Sequence, residues 1–235
     1  MTLVPAAAAI AVGYGLAALA VFGGARGWRP RLLAAFATGA LAFPVTVFLA
    51  GQIQTVLSSA FGWGPDAIAM TLGAGVAAAL VTAAVNEAVK LAAALLTWTP
   101  SRGGTVAFGA AAGAGFAAVG AYEVIHFALM MRALPISSAS GFVGSLVQQL
   151  AFVAVNSAST ALAAFGVMRH RAAAYLSAAI LLQTVFAVFG LLYALRAYSN
   201  VAWTILDVVV AAALVAGALI LDRRPAADSV LARAA

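Results

Sequence analysis

Cysteine is absent from this chain of 235 residues, which excludes a disulfide framework, a thiolate metal site and a cysteine nucleophile. Charge is nearly as scarce, since Asp, Glu, Lys and Arg together make up 8% of the residues. With 66% hydrophobic residues and a mean hydropathy of +1.10, the apolar side chains exceed what one water-soluble core can hide. No glycine-rich loop of the kind that cradles phosphate is visible, so ATP would have to be used by another chain. The formal charge of +6 comes mostly from arginines between apolar runs. That pattern sets membrane topology and predicts no nucleic-acid partner. Residues Met1 to Pro5 carry no basic n-region and precede no clear cleavage site, so the start reads as a retained span.

What is present is a series of apolar runs at about the 20-residue length a bilayer requires. They extend from Leu3 to Ala25, Leu32 to Phe61, Ala67 to Trp98, Thr105 to Leu134, Phe142 to Met168, Ala172 to Leu195 and Val201 to Leu221. The expected fold is an all-α integral membrane protein. It is a seven-transmembrane-helix bundle with a polar interior, forming one domain over residues 1–221 with a short cytoplasmic tail over 222–235. The second and third runs exceed a perpendicular span, which predicts tilt, a break or extension beyond the membrane; Pro44 is the expected kink in the second, and Gly73 and Gly75 could loosen the third.

Nine of the twelve basic residues fall in the first, third and fifth connections and the tail. Arg132 and Arg196 lie on the opposite side and Lys90 lies inside a span. The bias predicts an outside N-terminus and a cytoplasmic C-terminus in a multi-pass protein of the cell membrane, in contact with membrane lipids. Trp63 and Trp98 fit interfacial anchors. Gly109-Ala110-Ala111-Ala112-Gly113 is the small-residue pattern that lets helix backbones approach closely.

Three of the six acidic residues, Glu87, Glu123 and Asp207, fall within the spans. Ionisable groups at bilayer depth cost several kcal/mol unless they face protein or water, so they mark candidate sites. Glu87 and Lys90 are three apart and share a helix face near mid-bilayer. One reading of the pair is an interhelical lock; another is a reactive carboxylate with its partner. Asn156 and Gln183 come out near the same depth, while Glu123, His126 and Asp207 lie toward the outer side. Gln148 and Gln149 add further polar groups, and one cluster drawing on five spans is expected. Glu123 and His126 have the spacing of carboxylate-bridged metal sites, or form a hydrogen-bonded pair near the outer interface. The cluster suits a hydrolase, an ion or proton relay in a small-solute transporter, or interhelical bonding in a membrane complex.

Several of these segments together resemble the YhfC family of intramembrane peptidases, relatives of the PrsW and CAAX-processing membrane proteases. The family's Glu-Glu motif with a following basic residue is similar to Asn86-Glu87-Ala88-Val89-Lys90. Its glycine-rich helix resembles Gly113-Ala114-Gly115-Phe116 through Gly120. Its polar pair eight positions before a His resembles Gln148-Gln149 and Asn156, followed by Ser157 to Thr160. Its last helix matches Leu181-Leu182-Gln183, and Gly39 to Phe43 with Gln52 is similar to its early segment.

This resemblance implies a hydrolase with Glu87, Lys90 and Glu123 as catalytic residues. Glu87 would be the base for water, Lys90 its electrostatic partner, and Glu123 a substitute for a carboxylate missing at Gly120. Asn86, Phe116, His126, Gln148, Asn156, Gln183 and Asp207 would bind a membrane-protein substrate or partner. The chain departs from the pattern at Asn86, Gly120, Asn156 and Gln183, where the family carries Glu, Glu, His and His. Amides neither titrate near neutral pH nor make good zinc ligands. The expectation is a catalytically altered or inactive relative, a pseudoenzyme that acts on or binds membrane-protein segments. An active peptidase using Glu87 with Glu123 is the alternative. A divalent metal is the only cofactor in question, with most of its expected ligands missing.

Overall fold

A computed structural model describes residues 3–23, 30–62, 72–98, 105–132, 139–194 and 200–222. Seven helices follow in chain order: α1 (Leu3–Gly23), α2 (Pro30–Phe61), α3 (Leu72–Thr97), α4 (Thr105–Arg132), α5 (Ala139–Met168), α6 (Ala172–Ala194) and α7 (Asn200–Asp222). Each is long and apolar enough to cross a membrane, the pattern of a multi-pass membrane protein. Of the loop and tail arginines that carry the topology argument, Arg31, Arg169 and Arg171 lie among the described residues. Arg26, Arg29, Arg102, Arg196, the anchor Trp63 and the tail over 223–235 lie outside them.

Helices α4 and α5 form the centre of the bundle: 78% and 72% of their spans are buried, against 17–33% in the other five. Glycine and alanine make this possible. A side chain on Gly113 would run into the Asn156 carbonyl, and one on Gly109 would meet Thr160 and Ala164, so α4 and α5 touch nearly backbone to backbone. On its other side α4 meets α2, where Gly39 faces the backbone of Ala112 and Gly115 that of Phe36. Close approach of this kind supplies packing where lipid gives no hydrophobic drive.

The second and third runs form continuous helices. Helix α2 passes through Pro44 without a break, and Gly73 and Gly75 fall in the first turn of α3. Large apolar side chains such as Leu41, Phe48, Leu96, Leu181 and Ile205 remain exposed around the outside. This is the surface a lipid-facing bundle presents. Between α5 and α6 the chain reverses at Arg169 and His170. His170 takes a left-handed φ of 55°, and the Arg171 amide donates to the Gly166 carbonyl at 2.9 Å, closing the end of α5.

Candidate functional site

The middle of α3 carries Asn86, Glu87 and Lys90. Glu87 and Lys90 both point into the bundle and are completely buried, at 0% exposure each. The Lys90 ammonium donates to Glu87 Oε1 at 2.6 Å and to Asn156 Oδ1 at 2.7 Å. It also lies 5.2 Å from the ring centroid of Phe116, which stands edge-on to Phe43. A cation held between a carboxylate, an amide oxygen and an aromatic face is compensated on every side.

Glu87 is as fully occupied. Ser159 Oγ donates to Glu87 Oε1 at 2.7 Å, and Thr160 Oγ1 lies 3.2 Å from Oε2. Thr160 also reaches the Asn156 carbonyl at 2.9 Å, one turn back on its own helix. From α6, Gln183 Nε2 donates to Asn156 Oδ1 at 2.9 Å and to Ser159 Oγ at 3.0 Å. Asn156 Nδ2 donates to the Phe152 carbonyl at 2.9 Å, which fixes the orientation of its amide. One carboxylate, one ammonium, two amides and two hydroxyls thus tie α3, α5 and α6 together. Helix periodicity explains the α5 contribution: Asn156, Ser159 and Thr160 sit at i, i+3 and i+4 and share one face.

Glu87, Lys90, Asn156 and Gln183 therefore meet at one level, with Phe116 beneath them. Glu123 does not join: it lies on the exposed surface of α4. Near that end of α4 the covered stripe is Ala117, Ala121 and Ile125. Glu123 is two residues from both Ala121 and Ile125, or about 200° around the helix, and so points away. His126 is half-buried and stacks on Tyr122, with ring centroids 5.7 Å apart and planes 6° apart. Among the described residues, no three His, Asp or Glu side chains gather as a metal site would need. The Glu87 cluster does not fit a divalent cation, because its single carboxylate is already neutralised by an ammonium.

Gln148 and Asp207 belong to a separate place, the contact of α5 with α7. Gln148 Nε2 donates to Thr204 Oγ1 at 3.1 Å. Asp207 is buried beside the indole of Trp203, and its Oδ1 has no hydrogen-bond partner among the described residues. The expected cluster from five spans is thus a tight group from three helices, with a second polar contact apart from it. Ser159 and Thr160 were not among the site residues expected from the sequence. Their spacing from Asn156 was the signal that would have found them.

Next to the buried group a cleft of about 370 Å³ opens between α2, α3, α6 and α7, backed by Phe152 of α5. Its polar lining is Gln54, Thr82, Asn86, Gln183 and Trp203. Gln54 Nε2 donates to Thr82 Oγ1 at 2.7 Å. Neither Glu87 nor Lys90 reaches this cleft, whereas Gln183 belongs both to it and to the buried group. Set against protein-family models, curated proteins and solved structures, the chain matches none of them.

Proposed function

We propose that the chain is an altered relative of the intramembrane peptidases, one that binds membrane-protein segments without hydrolysing them. The observation that carries this reading is the occupancy of Glu87: Oε1 accepts from the Lys90 ammonium at 2.6 Å and the Ser159 hydroxyl at 2.7 Å, Oε2 lies 3.2 Å from the Thr160 hydroxyl, and the side chain has no exposed surface. A general base must lie within hydrogen-bond reach of the proton it takes, directly or through one water. Glu87 faces protein donors only, and the positions where the family carries imidazole hold Asn156 and Gln183. Those amides act here as the struts of an interhelical lock, which also holds α3 and α6 in place along the cleft. Orientation follows from the arginine distribution: the N-terminus is outside, the C-terminus is cytoplasmic, and the cleft opens to the outer side of the cell membrane.

The test is reconstitution of the protein with single-span reporter proteins carrying photo-crosslinkers. Capture of a subset of reporters, with no fragment released, is the expected result. Capture is expected to persist in the folded fraction of Glu87→Gln and Asn156→Ala. Release of a fragment by the wild type, abolished in a folded Glu87→Gln protein, would instead make Glu87 a catalytic base.

A further inference from the structure

The cleft has a chemistry of its own, separate from what docks on the outside of the bundle. Among the described residues its polar lining is uncharged: two glutamines, an asparagine, a threonine and a tryptophan. The hydrogen bonds around them determine what they can still offer. Both Nε2 hydrogens of Gln183 are committed to Asn156 and Ser159, so its carbonyl oxygen is left for the cleft, and a group meeting it there must donate. Asn86, half-buried at the same depth on the opposite wall, makes no side-chain hydrogen bond to any described residue and retains both a donor pair and an acceptor. Gln54 uses Nε2 on Thr82 and keeps its carbonyl. Amide groups without partners at this depth are costly in hydrocarbon, and a polar occupant, solute or water, removes that cost.

The dimensions narrow the occupant further. From Ala78 to Asn86 the α3 wall runs roughly 12 Å at a helical rise of about 1.5 Å per residue. Divided into a volume of about 370 Å³ open to the centres of water-sized atoms, that depth gives a mean width of about 6 Å for those centres, or roughly 9 Å from wall to wall. A helix with its side chains, about 10–12 Å across, does not enter such a space. A single flat ring or a short chain does. Phe152, Phe186 and Trp203 supply aromatic walls for it, and Gly190 lies beside the Trp203 ring. The lining residues lie toward the end of the bundle where α2, α4 and α6 finish, with Trp203 near the rim and Asn86 and Gln183 at the floor.

We propose that this cleft is a binding site for a small uncharged solute that has a flat apolar body and at least one N–H or O–H donor, seated with the donor on Gln183 and its second polar edge on Asn86. The site goes beyond the segment-binding reading and stands or falls without it. Charged analogues are disfavoured because no charged side chain among the described residues lines the cleft, and a wholly apolar occupant would leave the floor amides unpaired.

Benzamide is a suitable probe. In full-length protein with Trp28, Trp63 and Trp98 replaced by Phe, the remaining emission reports from Trp203 in the cleft. Titration with benzamide is expected to give a saturable change, while benzoate and ethylbenzene give none at the same concentrations. Asn86→Leu is expected to weaken benzamide binding by about tenfold, the loss of a hydrogen bond in a site sheltered from water. Gln54→Leu, on the opposite wall, replaces it as the test only if Asn86→Leu fails to fold, and weakening by the folded variant so tested supports the site. Equal responses to all three compounds would overturn the proposal. So would the lack of saturation with benzamide, or unchanged affinity in a folded Asn86→Leu protein.

Discussion

The α3–α6 contact has two levels that use similar side chains to opposite effect. At mid-helix, Glu87, Lys90, Asn156 and Ser159 bond to one another and are almost wholly closed off from solvent. Directly beside it, on the side toward the end of α6, Asn86 and the Gln183 carbonyl face an open cleft. The difference teaches that polar residues inside a helical bundle are not one category. A charge pair that finds every partner becomes a fastening, and neutral amides that do not find partners become a place to bind.

The largest effect expected from breaking this contrast is at Lys90. Lys90→Met leaves the Glu87 carboxylate buried without its cation, and removing one member of a buried pair typically costs about 3–5 kcal/mol. Unfolding in mixed micelles with a denaturing detergent should report a loss of that size. Next comes the backbone contact that positions the lock. Gly113→Ala drives a methyl group toward the Asn156 carbonyl, and overpacking of this kind costs roughly 1–3 kcal/mol. The same unfolding assay checks it, with Gly13→Ala, where a methyl group meets nothing, as the control.

Smaller effects mark the regions outside the lock. Gln148→Leu removes one interhelical hydrogen bond to Thr204, worth roughly 0.6 kcal/mol on the average measured for such bonds. Asn86→Leu is expected to be smallest of all in stability, within about 0.5 kcal/mol, because no protein partner is lost. A large destabilisation from Asn86→Leu, measured by the same unfolding, would erase the contrast between the two levels.

Much of this arrangement was legible in the sequence. The seven spans follow from length and hydropathy alone, and helix starts at Thr105, Ala172 and Asn200 fall within a residue of the ends of the apolar runs. Counting inward from the span ends placed Glu87, Asn156 and Gln183 at one depth, where the hydrogen bonds now join them. Depth does not give direction, however, and Glu123 shows why. In a chain where lipid-facing and protein-facing residues are equally apolar, little in the pattern tells which face of α4 is covered near its end. Gly120 is buried against Phe43 and Phe152, while Glu123, three residues on, is exposed. The continuity of α2 through Pro44 was hidden for a related reason, since its close packing on α4 through Gly39 and Phe43, just before the proline, is a tertiary contact.

The cleft was harder still to foresee. Gln54, Thr82 and Trp203 come from three different helices, and no spacing within one segment relates them. What brings them together is the divergence of α2, α3, α6 and α7 around Phe152, a consequence of tertiary packing. Asn86, by contrast, stood out as a departure from the peptidase motif. On the cleft wall an amide offers both a donor and an acceptor, where a carboxylate would bring an uncompensated charge.

The central claim is that Glu87 fastens helices and does not serve as a base, and a double-mutant cycle on Glu87 and Lys90 tests it most directly. Unfolding free energies would be measured for the wild type, Glu87→Gln, Lys90→Met and the double variant. The expected result is strong coupling: each single variant costs about 3–5 kcal/mol, and the double variant recovers most of that loss because no buried charge is left unpaired. Additive single effects, within about 0.5 kcal/mol, would contradict the account by showing that the two side chains do not depend on each other.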